Sequence, residues 1–281
     1  MPPLRTGNDR ADAQDDFLRA RRRRALTRLL RMLGRAGDVD VILPFDEVVA
    51  ALGRVGERDL GVQLVEVDSI LGTVDRPHGF DREFRPTTAR VRGRWERIAT
   101  ARRRGEPLPP VELFRVGDVH FVRDGHHRVS VARAMGDDVL EAHVVEVLTR
   151  VGADRTLRLS DLPLKSHERL FHERIPLPPQ ALPRVRLADS LRYGELAESI
   201  EAWGFRRGQE EDRLLDREEL GRRWLQEELE PVCGLLHEAD MVLPDESDAD
   251  AYLRVACDRY RLLHTSEWSE DVLARLRERQ R

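Results

Sequence analysis

Residues 111–147 read VELFRVGDVHFVRDGHHRVSVARAMGDDVLEAHVVEV, and the turns inside this stretch decide the fold. Residues 111–116 predict a short strand, Gly117-Asp118 a tight hairpin turn, and residues 119–122 the returning strand. Asp124-Gly125 predicts a second turn. Residues 127–135 then predict a helix that offers Val129, Val131, Ala132 and Met135 to a core, with Gly136 closing it. Residues 139–148 predict a further strand. Hairpin, helix and strand thus follow one another within about forty residues, too short a span for anything but a small layered unit.

Working outward, residues 61–70 alternate as a strand should, with Val62, Leu64, Val65, Val67 and Ile70 bracketing Gln63, Glu66 and Asp68, and Gly72 is expected to break it. Residues 73–86 predict a loop, and residues 87–104 a helix carrying Val91, Trp95, Ile98 and Ala99. Upstream, residues 1–16 are polar and expected to be unstructured. A basic amphipathic helix is predicted over 17–36, its apolar positions Phe17, Leu18, Leu26, Leu29, Leu30 and Leu33, and a short helix over 45–52.

Beyond residue 150 the composition changes. Four prolines between 176 and 183 mark a connecting segment, and only helices are predicted after it, over 193–205, from a cap at Asp216 to about Ala239 with a kink at Pro231, from Asp248 to Leu263, and from a cap at Ser269. The expected class is α+β, a small mixed β-sheet with helices followed by an all-helical C-terminal region. The expected divisions are a helical extension over 1–58, the sheet domain over 59–151, a connection over 152–184 and the helical region over 185–281.

The bulk properties bound the function. The chain has 281 residues, 40% hydrophobic and 36% charged, with 48 basic against 52 acidic residues and a formal charge of −4. A broad duplex-DNA face usually makes a domain basic, so DNA binding would need a local patch. Lys165 is the only lysine, an arginine bias that reads as GC-rich coding rather than as arginine chemistry. No apolar run approaches the length of a membrane span and residues 1–16 lack an apolar signal region, so a cytoplasmic protein is expected. Cys233 and Cys257 form no CxxC pair and are expected to be buried thiols. Trp203, Trp224, Tyr252, Leu253 and Tyr260 are expected in a core. His167 and His172, five residues apart, do not match the usual zinc spacing.

The residues with chemistry are concentrated at 124–128. A glycine turn between a strand and a helix start presents unpaired backbone N–H groups, and the helix dipole adds partial positive charge there. Phosphate suits such a site. Arg128 can add a guanidinium contact, His126 and His127 imidazole hydrogen bonds, and Asp124 can hold a ribose hydroxyl, a magnesium ion or the loop itself. The bland alternative is that Asp124 caps the helix and the histidines are surface residues.

HFVRDGHHRVSVARAMGDDVLEAHVVEV, at 120–147, resembles the nucleotide-binding motif of the ParB/sulfiredoxin superfamily, and LVEVDSILGTVDR, at 64–76, resembles its opening strand and following loop. The resemblance covers roughly residues 60–150 and places the Trp95 helix where the family has its intervening helix. His126 stands where sulfiredoxins carry their cysteine. His126 and His127 replace the glutamate and first arginine of ParB partition clamps, Ser130 replaces a later arginine, and no helix-turn-helix follows. Asp124-Gly125-His126-His127-Arg128 fits best the D-G-x-H-R turn of the branch resembling free-serine kinases. The resemblance implies binding of a nucleotide (ATP, ADP or CTP) with magnesium, with hydrolysis or phosphate transfer to a small hydroxyl substrate. It further implies nucleotide contacts from Thr73, Arg76, Asp124, Gly125, His126, His127 and Arg128. Asp75 and His127 are the catalytic candidates, with Glu66 a weaker alternative to Asp75 and an Asp75–Arg76 loop pair the structural alternative. A nucleotide-gated regulator that binds DNA or a partner is the competing function.

Overall fold

The computed structural model describes residues 7–32, 42–74 and 79–280, which fall into two compact units, Met1–Leu162 and Pro163–Arg281. In the first, a six-stranded mixed sheet is built from β1 (Leu43–Pro44), β2 (Arg54–Glu66), β3 (Ile70–Thr73), β4 (Val111–Val116), β5 (Val119–Asp124) and β6 (Val139–Thr149). The strand order is β1-β3-β5-β4-β6-β2. The β4–β5 hairpin and the β2–β6 pair are antiparallel, whereas β1–β3, β3–β5 and β4–β6 are parallel. Four helices accompany it among the described residues: α1 (Asp9–Met32), α2 (Phe45–Leu52), α3 (Arg92–Arg103) and α4 (His126–Met135).

Alternation along the strands feeds two cores. Phe121, Val116 and Val147 join Phe45, Val48 and Leu52 of α2 in one cluster. Leu113, Val122 and Val144 join Phe84 and Val129 of α4 in another. A third cluster holds Phe17 of α1, Trp95 of α3 and Val131 of α4, with the Phe17 and Trp95 rings edge to face at 5.6 Å.

The hairpin, the helix and the strand after it lie where the sequence pattern puts them. The opening strand does not. Residues 61–70 comprise the end of β2, a 3-10 turn at Val67–Ser69 closed by Ser69 Oγ donating to the Glu66 carbonyl at 2.6 Å, and the start of β3. Val62 and Leu64 are exposed, because β2 is the edge strand and no described residue covers that face of it. Gly72 does not break a strand. It lies inside β3, where a Cβ would fall 2.1 Å from Cδ1 of Phe121, so the neighbouring ring excludes any side chain.

Helix α1 begins at Asp9 rather than residue 17. Asp12 and Asp16 are buried there because Arg103 of α3 pairs with both, a neutralisation supplied from far along the chain. Leu18 is exposed, not a core position, and residues 33–36 of the expected helix lie outside the described residues.

The second unit is helical: α5 (Leu162–Arg174, beginning at the boundary), α6 (Tyr193–Glu210), α7 (Arg217–Trp224), α8 (Glu230–Glu238), α9 (Asp248–Leu263) and α10 (Glu270–Gln280). The stretch 152–184 therefore contains a helix, whose Phe171 enters the second core along with the following Ile175. Helical residues run without a break from Arg217 to Glu238, as expected, and the helix widens into a π-turn at Leu225–Leu229, just before Pro231, which has no N–H to give. Trp203, Trp224, Tyr252 and Leu253 are buried as expected; Tyr260 is exposed on the outer side of α9. Cys233 is buried, its thiol pushed up to about 12 by burial, but Cys257 is exposed.

Candidate functional site

Gly125 is the N-cap of α4, at φ 102° and ψ 19°, and having no side chain it makes no cap bond of its own. This left-handed conformation favours glycine. Space demands it as well, since a Cβ would fall 2.7 Å from Cγ1 of Val111 and 3.1 Å from Nε of Arg128. The first turn of a helix carries N–H groups that the helix itself does not satisfy, and a glycine at this position supplies no side-chain acceptor for them.

Strand pairing sets the turn's neighbours. Thr73 ends β3 alongside Val122 of β5, and its buried Oγ1 lies 2.7 Å from Nε2 of His126 and 3.3 Å from the Val122 carbonyl. With Thr73 donating to the carbonyl, His126 donates Nε2–H to Thr73. The loop after β3 returns over the turn, where Phe80 meets the His127 ring edge to face at 5.1 Å and Phe84 lies 6.2 Å from the His126 ring. Nδ1 of His127 is sealed without a hydrogen-bond partner. Burial, aided by Arg94 and His126, pushes its pKa down to about 4, so at neutral pH His127 is an uncharged imidazole.

Arg128 is held rather than loose. Its Nη1 donates to the carbonyls of Pro109 and Pro110 at 2.5 and 2.7 Å, and its Nη2 to Asp124 at 2.5 Å. The guanidinium thus fastens the turn to the loop that enters β4 and rests against Gly125. The Asp124 carboxylate is turned toward Arg128 and away from the helix amides.

The structure brings Thr73, Asp124, Gly125, His126, His127 and Arg128 together. Asp75 and Arg76 lie outside the described residues. The residues flanking them are placed: Val74 donates its N–H to the Val122 carbonyl at 3.0 Å, and Phe80 packs on His127. Glu66 is not part of this group. It ends β2 and pairs with Arg155 at 2.6 Å, and its carbonyl, Ser69 and His120 form a chain at the opposite end of the β3–β5 ladder. His120 is buried there and held neutral, its pKa lowered to about 4 chiefly by burial, then by Arg115 and Arg155.

Sequence reasoning missed Phe80, Phe84 and the Pro109–Pro110 carbonyls, which shape and brace the turn. Two phenylalanines within an otherwise polar loop, residues 79–86, were the available signal. Among the described residues no group of three or more His, Cys, Asp or Glu side chains could hold a metal ion, and no helix is long and apolar enough to cross a membrane. No family model matches the chain, and neither curated proteins nor solved structures give a match.

Proposed function

We propose that this chain is a cytoplasmic nucleotide-binding protein of the ParB/sulfiredoxin type that hydrolyses a nucleoside triphosphate or transfers its phosphate to a small hydroxyl compound. The observation that carries the reading is the left-handed glycine start of α4 at Gly125, with Thr73–His126 on one side and the braced Arg128 on the other. An anionic phosphate suits the first-turn N–H groups and the helix dipole there.

In this reading the α4 amides and the fixed positive charge of Arg128 neutralise charge on the phosphoryl group, which is most of what phosphoryl transfer requires. His126 is oriented by Thr73, and neutral His127 accepts or donates one hydrogen bond without adding charge. Magnesium would enter on the nucleotide's phosphates, as it commonly does, and polarise them. Asp75 is proposed as the group that orients the acceptor, and Arg76 as a further phosphate contact.

Isothermal titration with ATP, ADP and CTP in magnesium tests the reading. Arg128→Ala should weaken nucleotide binding by about 1.5–3 kcal/mol, the range for hydrogen bonds to charged groups. Asp75→Asn should leave affinity within about tenfold but cut turnover at least ~100-fold. A wild-type protein that binds none of the three overturns the proposal. Tight binding without turnover, across a panel of small hydroxyl compounds, replaces the enzyme with a nucleotide-gated regulator.

A further inference from the structure

A cavity of about 830 Å3 lies beside the C-terminal half of α4, walled by α1, α3 and the loop around Glu83–Arg85. Its volume is within the range of small-molecule sites, roughly 300–1,000 Å3. The Gly125 turn is not part of its lining.

Arg85, Arg102, Arg103 and Arg133, all in its lining, divide into two kinds. Arg103 pairs with Asp16 and lies 3.9 Å from Asp12, Arg102 pairs with Asp137 at 2.9 Å, and Arg85 pairs with Asp81 at 2.9 Å. These charges are matched within the fold. Arg133 differs. Its Nη2 donates to the carbonyls of Val67 and Ile70 at 3.0 and 2.7 Å, and its guanidinium lies over Phe84, 5.6 Å from the ring centre. Among the described residues no carboxylate is within ion-pair distance of it; its Nε, like that of Arg103, is buried without a hydrogen-bond partner. Neutral acceptors and a ring therefore fix a charge that nothing in contact neutralises. Asp68, Glu83 and Asp81 favour the charge only from beyond contact, so burial still costs it solvation, and an incoming anion in contact offsets that cost.

Ser130 sits one turn back on the same face of α4 and also lines the cavity. It is 2% exposed, and its Oγ accepts the Trp95 indole N–H at 2.8 Å, which leaves its own proton to donate. Asp68 and Asp138 are exposed carboxylates in the lining, and among the described residues neither has an ion-pair partner. They disfavour a polyanion.

We infer that this cavity binds a small molecule through a single oxyanion group, carboxylate or phosphate monoester, received by Arg133 and Ser130. The site stands whether or not the Gly125 turn binds a nucleotide.

The Trp95 indole N–H, bonded to Ser130, reports on it. In 15N-labelled protein at constant ionic strength, inorganic phosphate and acetate are titrated while the Trp95 indole resonance, assigned with Trp95→Phe, is followed. One or both ions should shift it saturably, and whichever binds names the source of the oxyanion. Arg133→Gln should weaken that binding about tenfold or more, as loss of a charge-assisted contact does. Arg128→Gln should leave it unchanged. The double variant Asp68→Asn, Asp138→Asn alters only exposed side chains and should tighten phosphate severalfold, more than acetate. If Arg133→Gln fails to fold, that double variant decides, and no tightening overturns the inference. No saturable shift up to about 100 mM of either ion, far weaker than millimolar binding, also overturns it. Loss of the shift in Arg128→Gln but not in Arg133→Gln moves the anion to the Gly125 turn and refutes this site alone.

Discussion

The starts of α4 and α7 show two ways of beginning a helix. Asp216 caps α7 with its own carboxylate, which accepts the Glu219 N–H at 2.8 Å. The start of α9 is closed in the same way, where Ser247 Oγ accepts the Asp250 N–H at 3.1 Å. At α4 the aspartate comes one position earlier, a left-handed glycine takes the cap position, and the Asp124 carboxylate turns to Arg128 instead. The α7 and α9 arrangements satisfy the helix amides from within, which is stability and nothing more. In the α4 arrangement the cap residue offers no acceptor of its own, and the polar side chains of the turn hold one another in place. That difference separates a folding device from a candidate binding device when both begin with Asp.

The sharpest way to break this contrast is at Gly125. Gly125→Ala forces a left-handed residue with a Cβ against Val111. The backbone strain and the overlap together should cost about 2–4 kcal/mol in chemical denaturation. A loss below about 1 kcal/mol would mean that the turn relaxes freely and is not pre-shaped.

Acid is the next largest lever. His127 and His120 have folded pKa values of about 4, below the usual 6.5, so the fold favours their neutral forms. Stability from this source is full above pH 6.5 and is lost as pH falls from 6.5 toward 4, because the unfolded chain takes up these protons first. By pH 5 the pair should cost about 2 kcal/mol, after discounting for the partial exposure of His127. His127→Gln should flatten the slope of unfolding free energy against pH in that window, and an unchanged slope would contradict its neutral state.

Asp216→Ala comes third. It should lower stability by about 1 kcal/mol, as loss of an N-cap does, and leave nucleotide and anion binding untouched. The Glu219 carboxylate cannot compensate, since it is engaged by Arg213 rather than folded back in a reciprocal box.

What could be read from the sequence follows the same division between local and distant causes. The β4–β5 hairpin, α4 and β6 were legible because Gly117-Asp118, Gly125 and Gly136 punctuate regular alternation. Four chemically active side chains around one glycine made the 124–128 turn conspicuous. The start of α1 was hidden because burial of Asp12 and Asp16 depends on Arg103. Helix α5 was hidden by Pro163, which a first helical turn tolerates, and by the prolines that follow Ile175. The first half of β2, RVGERD at 54–59, carries the charges of an edge strand and shows no apolar alternation. Arg133 gave no sign at all: its place over Phe84, between two carbonyls of the β2–β3 turn, is set by pairing that no local pattern encodes.

The smallest expected effect is the most informative about how the turn works. Asp124 is 60% exposed and its bond to Arg128 joins neighbours one helical turn apart. Exposed pairs of this kind contribute under about 1 kcal/mol, so Asp124→Ala should destabilise less than Asp216→Ala despite the similar setting before a helix. The consequence for binding separates two roles. If Asp124 only steadies Arg128, Asp124→Ala should weaken nucleotide binding by less than about tenfold, a modest loss of pre-organisation, and by the same factor with and without magnesium. Asp124→Asn, which still accepts a hydrogen bond from Arg128, should then recover most of the loss. If Asp124 instead holds the metal, the loss should appear only with magnesium present, and asparagine should not restore it. The geometry favours the first outcome, because the carboxylate already faces the guanidinium. Titrations of the three proteins with ATP, ADP and CTP, in magnesium and in chelator, decide between the two, and a magnesium-dependent loss would mean that this helix start is built around a cation as well as a phosphate.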